Sequence, residues 1–114
     1  MLKDLFLKII GREIPADIVY ETPEILAFRD INPQAPVHIL VIPKQQIPTT
    51  DDMTEAHEQI AGKLLVAATV IARAEGLSES GYRLVMNCKS DGGQTVAHIH
   101  MHLLGGRQMH WPPG

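Results

Sequence analysis

Disulfide potential, aromatic residues, long apolar runs and positive charge are all scarce in this sequence of 114 residues. Its one cysteine, Cys88, cannot form an internal disulfide, which fits a reducing cytoplasm, and nothing else marks it as a nucleophile. Two Phe, two Tyr and one Trp leave the core to aliphatic side chains. A net charge of −3 without any Lys/Arg run argues against a nucleic-acid polymer as ligand, although a mononucleotide stays open. No secretory leader is expected, because Lys3, Asp4 and Lys8 interrupt the first apolar positions. The longest apolar strand run, Val37 to Pro43, is too short to cross a bilayer and contains His38. The expectation is a soluble, cytoplasmic protein without a membrane partner. Repeats, low-complexity tracts and linkers are also missing, so residues 1–114 read as one domain, small enough to benefit from burying surface against a second copy.

What the chain does have is histidine, concentrated in Gln94-Thr-Val-Ala-His98-Ile-His100-Met-His102-Leu-Leu-Gly105-Gly106. His alternates with Ile99 and Met101 at the period of a β-strand, which predicts three imidazoles on one face, spaced about 6.6 Å apart, and apolar residues on the other. Three adjacent rings would repel if all were charged, so at neutral pH some must be neutral, and their roles must differ. Upstream, Lys89-Ser-Asp-Gly92-Gly93-Gln94-Thr95 reads as a loop whose backbone N–H groups and Thr95 hydroxyl suit an anion. Phosphate held against imidazole is the combined reading. Zinc is the competing one, because two imidazoles at i and i+2 plus His38 could supply three tetrahedral ligands.

The remaining periodicities give an element order. Leu2, Leu5, Phe6 and Ile9 predict one short amphipathic helix over Met1 to Ile10, ended by Gly11. Residues 17–21 and 25–29 predict a hairpin turned at Thr22-Pro23-Glu24. Asp30, Asn32, Pro33 and Pro36 make a rigid connection to the β-branched strand 37–42, which carries His38 at its start. Asp52 with Glu55 has the spacing of a capping box for a long helix that keeps Ile60, Leu64, Ala67, Ala68 and Ile71 on one stripe and stops at Gly76. His57 is expected to face solvent, and the small residues Ala61, Gly62, Ala67, Ala68 and Ala72 permit close approach by a sheet or a second copy. Residues 81–87 and 96–104 predict the last two strands. The whole is an α+β domain with a largely antiparallel, five-stranded sheet. Trp111, in a Pro- and Gly-rich tail, needs burial or a partner.

His98-Ile-His100-Met-His102-Leu-Leu resembles the signature of the histidine triad family of nucleotide hydrolases and transferases. Its flanks, Ser90-Asp-Gly-Gly-Gln94 and Gly105-Gly-Arg-Gln-Met-His-Trp-Pro-Pro-Gly114, are similar to the Hint branch, and the likeness extends through Lys8–Ala16 and Phe28–His38 to nearly the whole chain. The resemblance implies a homodimer in which two sheets join into one of ten strands, with the long helices also at the interface. It implies hydrolysis of the P–N bond of purine nucleoside 5′-phosphoramidates, such as adenosine 5′-phosphoramidate or AMP-lysine, with His100 as nucleophile. The His98 carbonyl would orient that ring, and the His98 side chain and His38 would form a supporting network. His102, Thr95 and backbone N–H groups around Gly93, Gln94 and Val96 would contact phosphoryl oxygens, with Asn87 bridging sugar and phosphate. Asp30 would accept from ribose hydroxyls, a task suited to the two oxygens of a carboxylate. Leu5, Phe6, Ile9, Phe28 and Ile31 would surround the purine, and Trp111 of a neighbouring subunit would reach the leaving-group side.

Three positions depart from the pattern. Asp4 and Leu7 stand where many relatives have zinc-binding cysteines, so neither metal nor cofactor is expected. Thr95 stands where Ser is common, and its extra methyl restricts χ1 near the leaving group. Two alternatives remain: a dinucleoside polyphosphate hydrolase using the same histidine, and a non-catalytic purine-nucleotide sensor.

Overall fold

The computed structural model describes all residues, 1–114. Five antiparallel strands, β1 (Ile18–Glu21), β2 (Ile25–Arg29), β3 (Val37–Pro43), β4 (Tyr82–Val85) and β5 (Met101–Gly105), form one sheet in the order β1-β2-β3-β5-β4. The last strand in the chain is thus inserted between the third and the fourth. No helix is long and apolar enough to cross a membrane.

Alternation along the strands sorts the core into two layers. Ile25 and Ala27 of β2, Ile39 and Val41 of β3, and Met101 and Leu103 of β5 face helix α2 (Glu58–Ala74). That helix returns Ile60, Leu64, Ala67, Ala68, Ile71 and Ala72 to the sheet. Leu26, Phe28, Leu40 and Ile42 point the other way, against Phe6 and Ile9 of the short helix α1 (Leu5–Ile10) and Val96. Small residues let α2 sit close: Ala68 and Ala72 are fully buried, whereas Gly62 is exposed. Register places Leu40 opposite His102 and His38 opposite Leu104, so His38, Leu40 and His102 share the face opposite α2.

Several predicted boundaries move, each because a longer-range bond claims the backbone. The strand expected from Val96 begins only at Met101. Before that point the chain is drawn aside: Leu2 forms a parallel bridge with Val96, its N–H donating to the Thr95 carbonyl (3.0 Å) and its carbonyl accepting from Ala97 (2.6 Å). The Ile99 N–H donates instead to the Ile47 carbonyl (2.8 Å). The same bridge explains why α1 starts at Leu5 and not at Met1. Asp52 does not cap the long helix. It pairs with Thr49 across a 3₁₀ turn at Thr50–Asp52, and Thr54 opens a second turn, Glu55–His57, with His57 Nδ1 accepting from the Thr54 N–H (2.9 Å). His57 is therefore half-buried and engaged, and α2 begins at Glu58. The strand expected to reach Asn87 stops at Val85. The loop expected after it contains a helical turn, α3 (Lys89–Gly92), entered through Lys89 at φ 59°.

Replacing Ala68 by Leu would force α2 off the sheet. The variant is expected to lose about 1–3 kcal/mol in urea unfolding, since overpacking a closed interface displaces backbone.

Candidate active site

Four imidazoles gather where β3, β5 and the segment preceding β5 meet, and backbone partners determine which nitrogen of each carries its proton. His98 is fully buried and donates from Nε2 to the Pro43 carbonyl at the end of β3 (2.7 Å). Its Nδ1 has no partner. The His98 main-chain carbonyl accepts from Nδ1–H of His100 (2.8 Å), so the Nε2 lone pair of His100 is free. His38 is fixed from the opposite side: its Nδ1 accepts the Gln34 backbone N–H (3.0 Å), so the proton sits on Nε2 and is donated to Nδ1 of His102 (2.9 Å). By elimination the proton of neutral His102 lies on Nε2, pointing away from the pair.

The row of rings thus differs from the alternating row expected. His100, His102 and His38 lie side by side, with centroid separations of 5.0 Å and 5.2 Å, whereas His98 turns back to Pro43. His98 and His38 therefore do not share a network: outside the ladder, the His98 ring reaches a carbonyl on the far end of β3, and His38 pairs with His102. Phe6 stands edge-on to both His98 (5.7 Å) and His100 (5.1 Å).

Burial holds all four rings neutral. It pushes His38, His98 and His100 below the usual imidazole value, outweighing the opposing effects of Asp30 on His38, of the Pro43 carbonyl on His98, and of the His98 carbonyl and Asp30 on His100. His102 falls to about 4, through burial first and then the neighbouring His100 and His38.

In front of His100 and His102 opens a cavity of about 270 Å³. Leu5, Phe6, Ile9 and Phe28 form its apolar wall, and Asp30, Thr95 and Val96 stand at its rim beside the two histidines. Ile31, at its mouth, is fully exposed. Ile14, Pro15, Ala16, Arg29 and Leu40 complete the lining and were not singled out from the sequence. Leu40 could have been, since it lies two residues from His38 on one strand face.

Other expected site residues have different duties. The Gln94 side chain is buried and clamps the turn, donating to the Pro48 (2.7 Å) and Val96 (2.9 Å) carbonyls and accepting from the Lys89 N–H (2.8 Å). The N–H groups of Gly93 and Gln94 are spent on Ser90 and Lys89, whereas those of Thr95 and Val96 are left free by the fold. The nest expected over four residues narrows to these two. Asn87 packs against Gly92 outside the cavity lining, and Trp111 is 83% exposed. Gln46, unremarked in the sequence, ties the Lys3 (2.7 Å) and Ala97 (3.1 Å) carbonyls together behind Thr95.

Asp30, His38 and His102 are the one group placed close enough to ligate a metal, their donor atoms lying within 4.8 Å of one another. The group does not fit a resident zinc as it stands. The 2.9 Å between His38 and His102 is a hydrogen bond, shorter than the roughly 3.3 Å edge that two nitrogens span on a tetrahedral ion with about 2.0–2.1 Å bonds. Both nitrogens of His38 are already engaged.

A family model for the HIT domain matches residues 11–109. The chain is 57% identical over 105 residues to the purine nucleoside phosphoramidase of Escherichia coli (strain K12), covering 92% of this chain and 88% of that one. It is also 57% identical over 112 residues to the 14 kDa zinc-binding protein of Zea mays, covering 96% and 87%. The crystal structure of a HIT family hydrolase from Legionella pneumophila Philadelphia 1 superposes with a TM-score of 0.95 at 58% identity, covering 96% of this chain and 98% of that one.

Because the folded state depresses the imidazoles, the unfolded chain binds more protons as pH falls, and stability declines with it. Melting followed by circular dichroism should show a midpoint that drops progressively as pH is lowered from 6.5, the ordinary imidazole value, to about 4, where His102 titrates. A flat profile over that window would mean that the rings charge freely in the fold.

Proposed function

The chain belongs to the HIT domain family, and on that premise we propose that it hydrolyses the P–N bond of purine nucleoside 5′-phosphoramidates. The observation that carries this reading is the Nδ1–H of His100 held on the His98 carbonyl, which leaves the Nε2 lone pair free on a ring that lines an apolar slot. A nucleotide fits that slot in one sense. Its base is covered by Leu5, Phe6, Ile9 and Phe28, its ribose hydroxyls meet the Asp30 carboxylate, and its phosphate reaches His100, His102 and Thr95.

Nε2 of His100 attacks phosphorus and the P–N bond breaks, the nitrogen leaving as the neutral amine once it has gained a proton. The imidazole becomes a cation on phosphorylation, and the His98 carbonyl, already on Nδ1–H, stabilises it where it forms. His102 Nε2–H, the Thr95 hydroxyl and the free N–H groups of Thr95 and Val96 are the donors for the phosphoryl oxygens. Water then attacks the nucleotidyl-histidine, releasing the monophosphate and restoring His100. Asn87, which packs beside Gly92 at the turn leading to Thr95, is assigned the sugar–phosphate side.

The same reading takes the protein as a cytoplasmic homodimer. In support, β4 is an unpaired sheet edge, Leu65 and Val66 of α2 are 49% and 60% exposed, and Trp111 projects into solvent, free to reach a neighbouring subunit's leaving-group side.

Adenosine 5′-phosphoramidate incubated with the protein in EDTA and followed by ³¹P NMR should give AMP, and His100→Ala should slow this by about 10³-fold or more. Binding of AMP without turnover by the unsubstituted chain would favour a nucleotide sensor, and turnover of dinucleoside polyphosphates alone would favour that hydrolase. Sedimentation velocity should report a dimer; a monomer at micromolar concentration would remove Trp111 from the site.

A further inference from the structure

The connection between β2 and β3 carries two prolines and no regular structure, yet it supplies the contact on which the His38–His102 pair turns. Within it, the Asn32 N–H donates to Oδ1 of Asp30 (2.8 Å), Gln34 Nε2 donates to the Asn32 carbonyl (3.0 Å), and the Gln34 N–H reaches His38 Nδ1. Two ties come from the chain just after β5. Gly106, at φ 90°, packs so closely on Pro36 that a Cβ would stand 2.9 Å from the proline ring. Arg107 donates from Nε to the Gln34 carbonyl (3.0 Å) and from Nη1 to the Gln108 carbonyl (3.2 Å). A planar guanidinium can hold both carbonyls in one geometry; a lysine ammonium holds either as a point donor.

The consequence lies in the direction of a proton relay. With Gln34 in place, His38 must be the Nε2–H tautomer and His102 presents Nε2–H to the cavity. If Gln34 moves away, His38 Nδ1 is free to take the proton. The bond between the rings then reverses, and His102 would turn a lone pair toward a phosphoryl oxygen, a repulsive contact in place of a donor. We infer that Arg107 is a positioning residue: by anchoring Gln34 it selects the His38 and His102 tautomers that put a hydrogen-bond donor on the phosphate. The charged and titratable groups facing the pair are Asp30, whose Oδ2 is 3.5 Å from His38 Nε2, His100 alongside His102, and Arg107 behind Gln34. The kinetic part of this inference rests on the phosphoramidase reading, whereas the tautomer part does not.

The test uses the full chain labelled with ¹⁵N-histidine, whose long-range ¹H–¹⁵N spectrum reports the tautomer of each ring. Arg107→Met keeps the aliphatic stem and removes the donors; Arg107→Lys restores one. The original chain should show His38 and His102 both as Nε2–H, and Arg107→Met a mixture. With adenosine 5′-phosphoramidate, Arg107→Met should lower kcat/KM by about tenfold and weaken AMP by a similar factor, while the affinity for adenosine, which lacks the phosphate, changes by less than about twofold. Its acid limb should move toward higher pH as His38 Nδ1 becomes available to protons, and Arg107→Lys should recover part of the loss. Unchanged His38 and His102 tautomers in Arg107→Met would overturn the proposal, as would a loss of kcat/KM matched by equal losses in adenosine affinity and melting temperature. If the original chain hydrolyses no phosphoramidate, the functional reading fails and the tautomer comparison still decides the role of Arg107.

Discussion

The 2.8 Å hydrogen bond from His100 Nδ1–H to the main-chain carbonyl of His98 is the constraint around which the rest is arranged. A carbonyl within a β-ladder belongs to the neighbouring strand, so this one is available only because β5 has not yet begun. The segment before Met101 must then be held by other means, and Leu2, Gln46, Ile47 and Gln94 each provide a bond. The departure from regular strand geometry is thus what frees an acceptor for the His100 ring. Several of its backbone groups are met by partners distant in sequence, while the Thr95 and Val96 N–H groups stay free.

The apolar residues around the site serve two ends at once. Phe6 covers His98 and His100 edge-on and also walls the cavity in front of them. A side chain that walls the cavity therefore also withholds water from the imidazoles and keeps them uncharged. With the rings neutral, an anion in the cavity would meet oriented N–H dipoles and not protonated rings. Such groups need little reorganisation as the phosphoryl geometry changes.

Elements whose own residues carry the signal were legible in the sequence. The β-branched run of β3, the apolar stripe of α2 and the turn at Thr22 each follow from local pattern, and the five-strand antiparallel sheet follows from them. The histidine stretch pointed to the family because imidazoles at that spacing have few structural uses. What stayed hidden depends on pairs far apart in the chain. The His98 tautomer is set by Pro43, the start of β5 by Leu2, and the role of Gln94 by Pro48. Capping was misread for a related reason: Thr49 with Asp52 and Thr54 with His57 keep the same three-residue spacing as Asp52 with Glu55, and spacing alone does not choose among them.

The insertion of β5 between β3 and β4 bears on how the protein comes into being. During synthesis β1, β2 and β3 can pair as they emerge, but β3 and β4 each keep an open edge until β5 emerges. The closing step joins segments far apart in the chain, a slow kind of contact to form. It also delivers His100 and His102 to His38 in the same event. Until then the histidine cluster is unassembled and two strand edges lie open, so completion of the sheet and assembly of the cluster coincide.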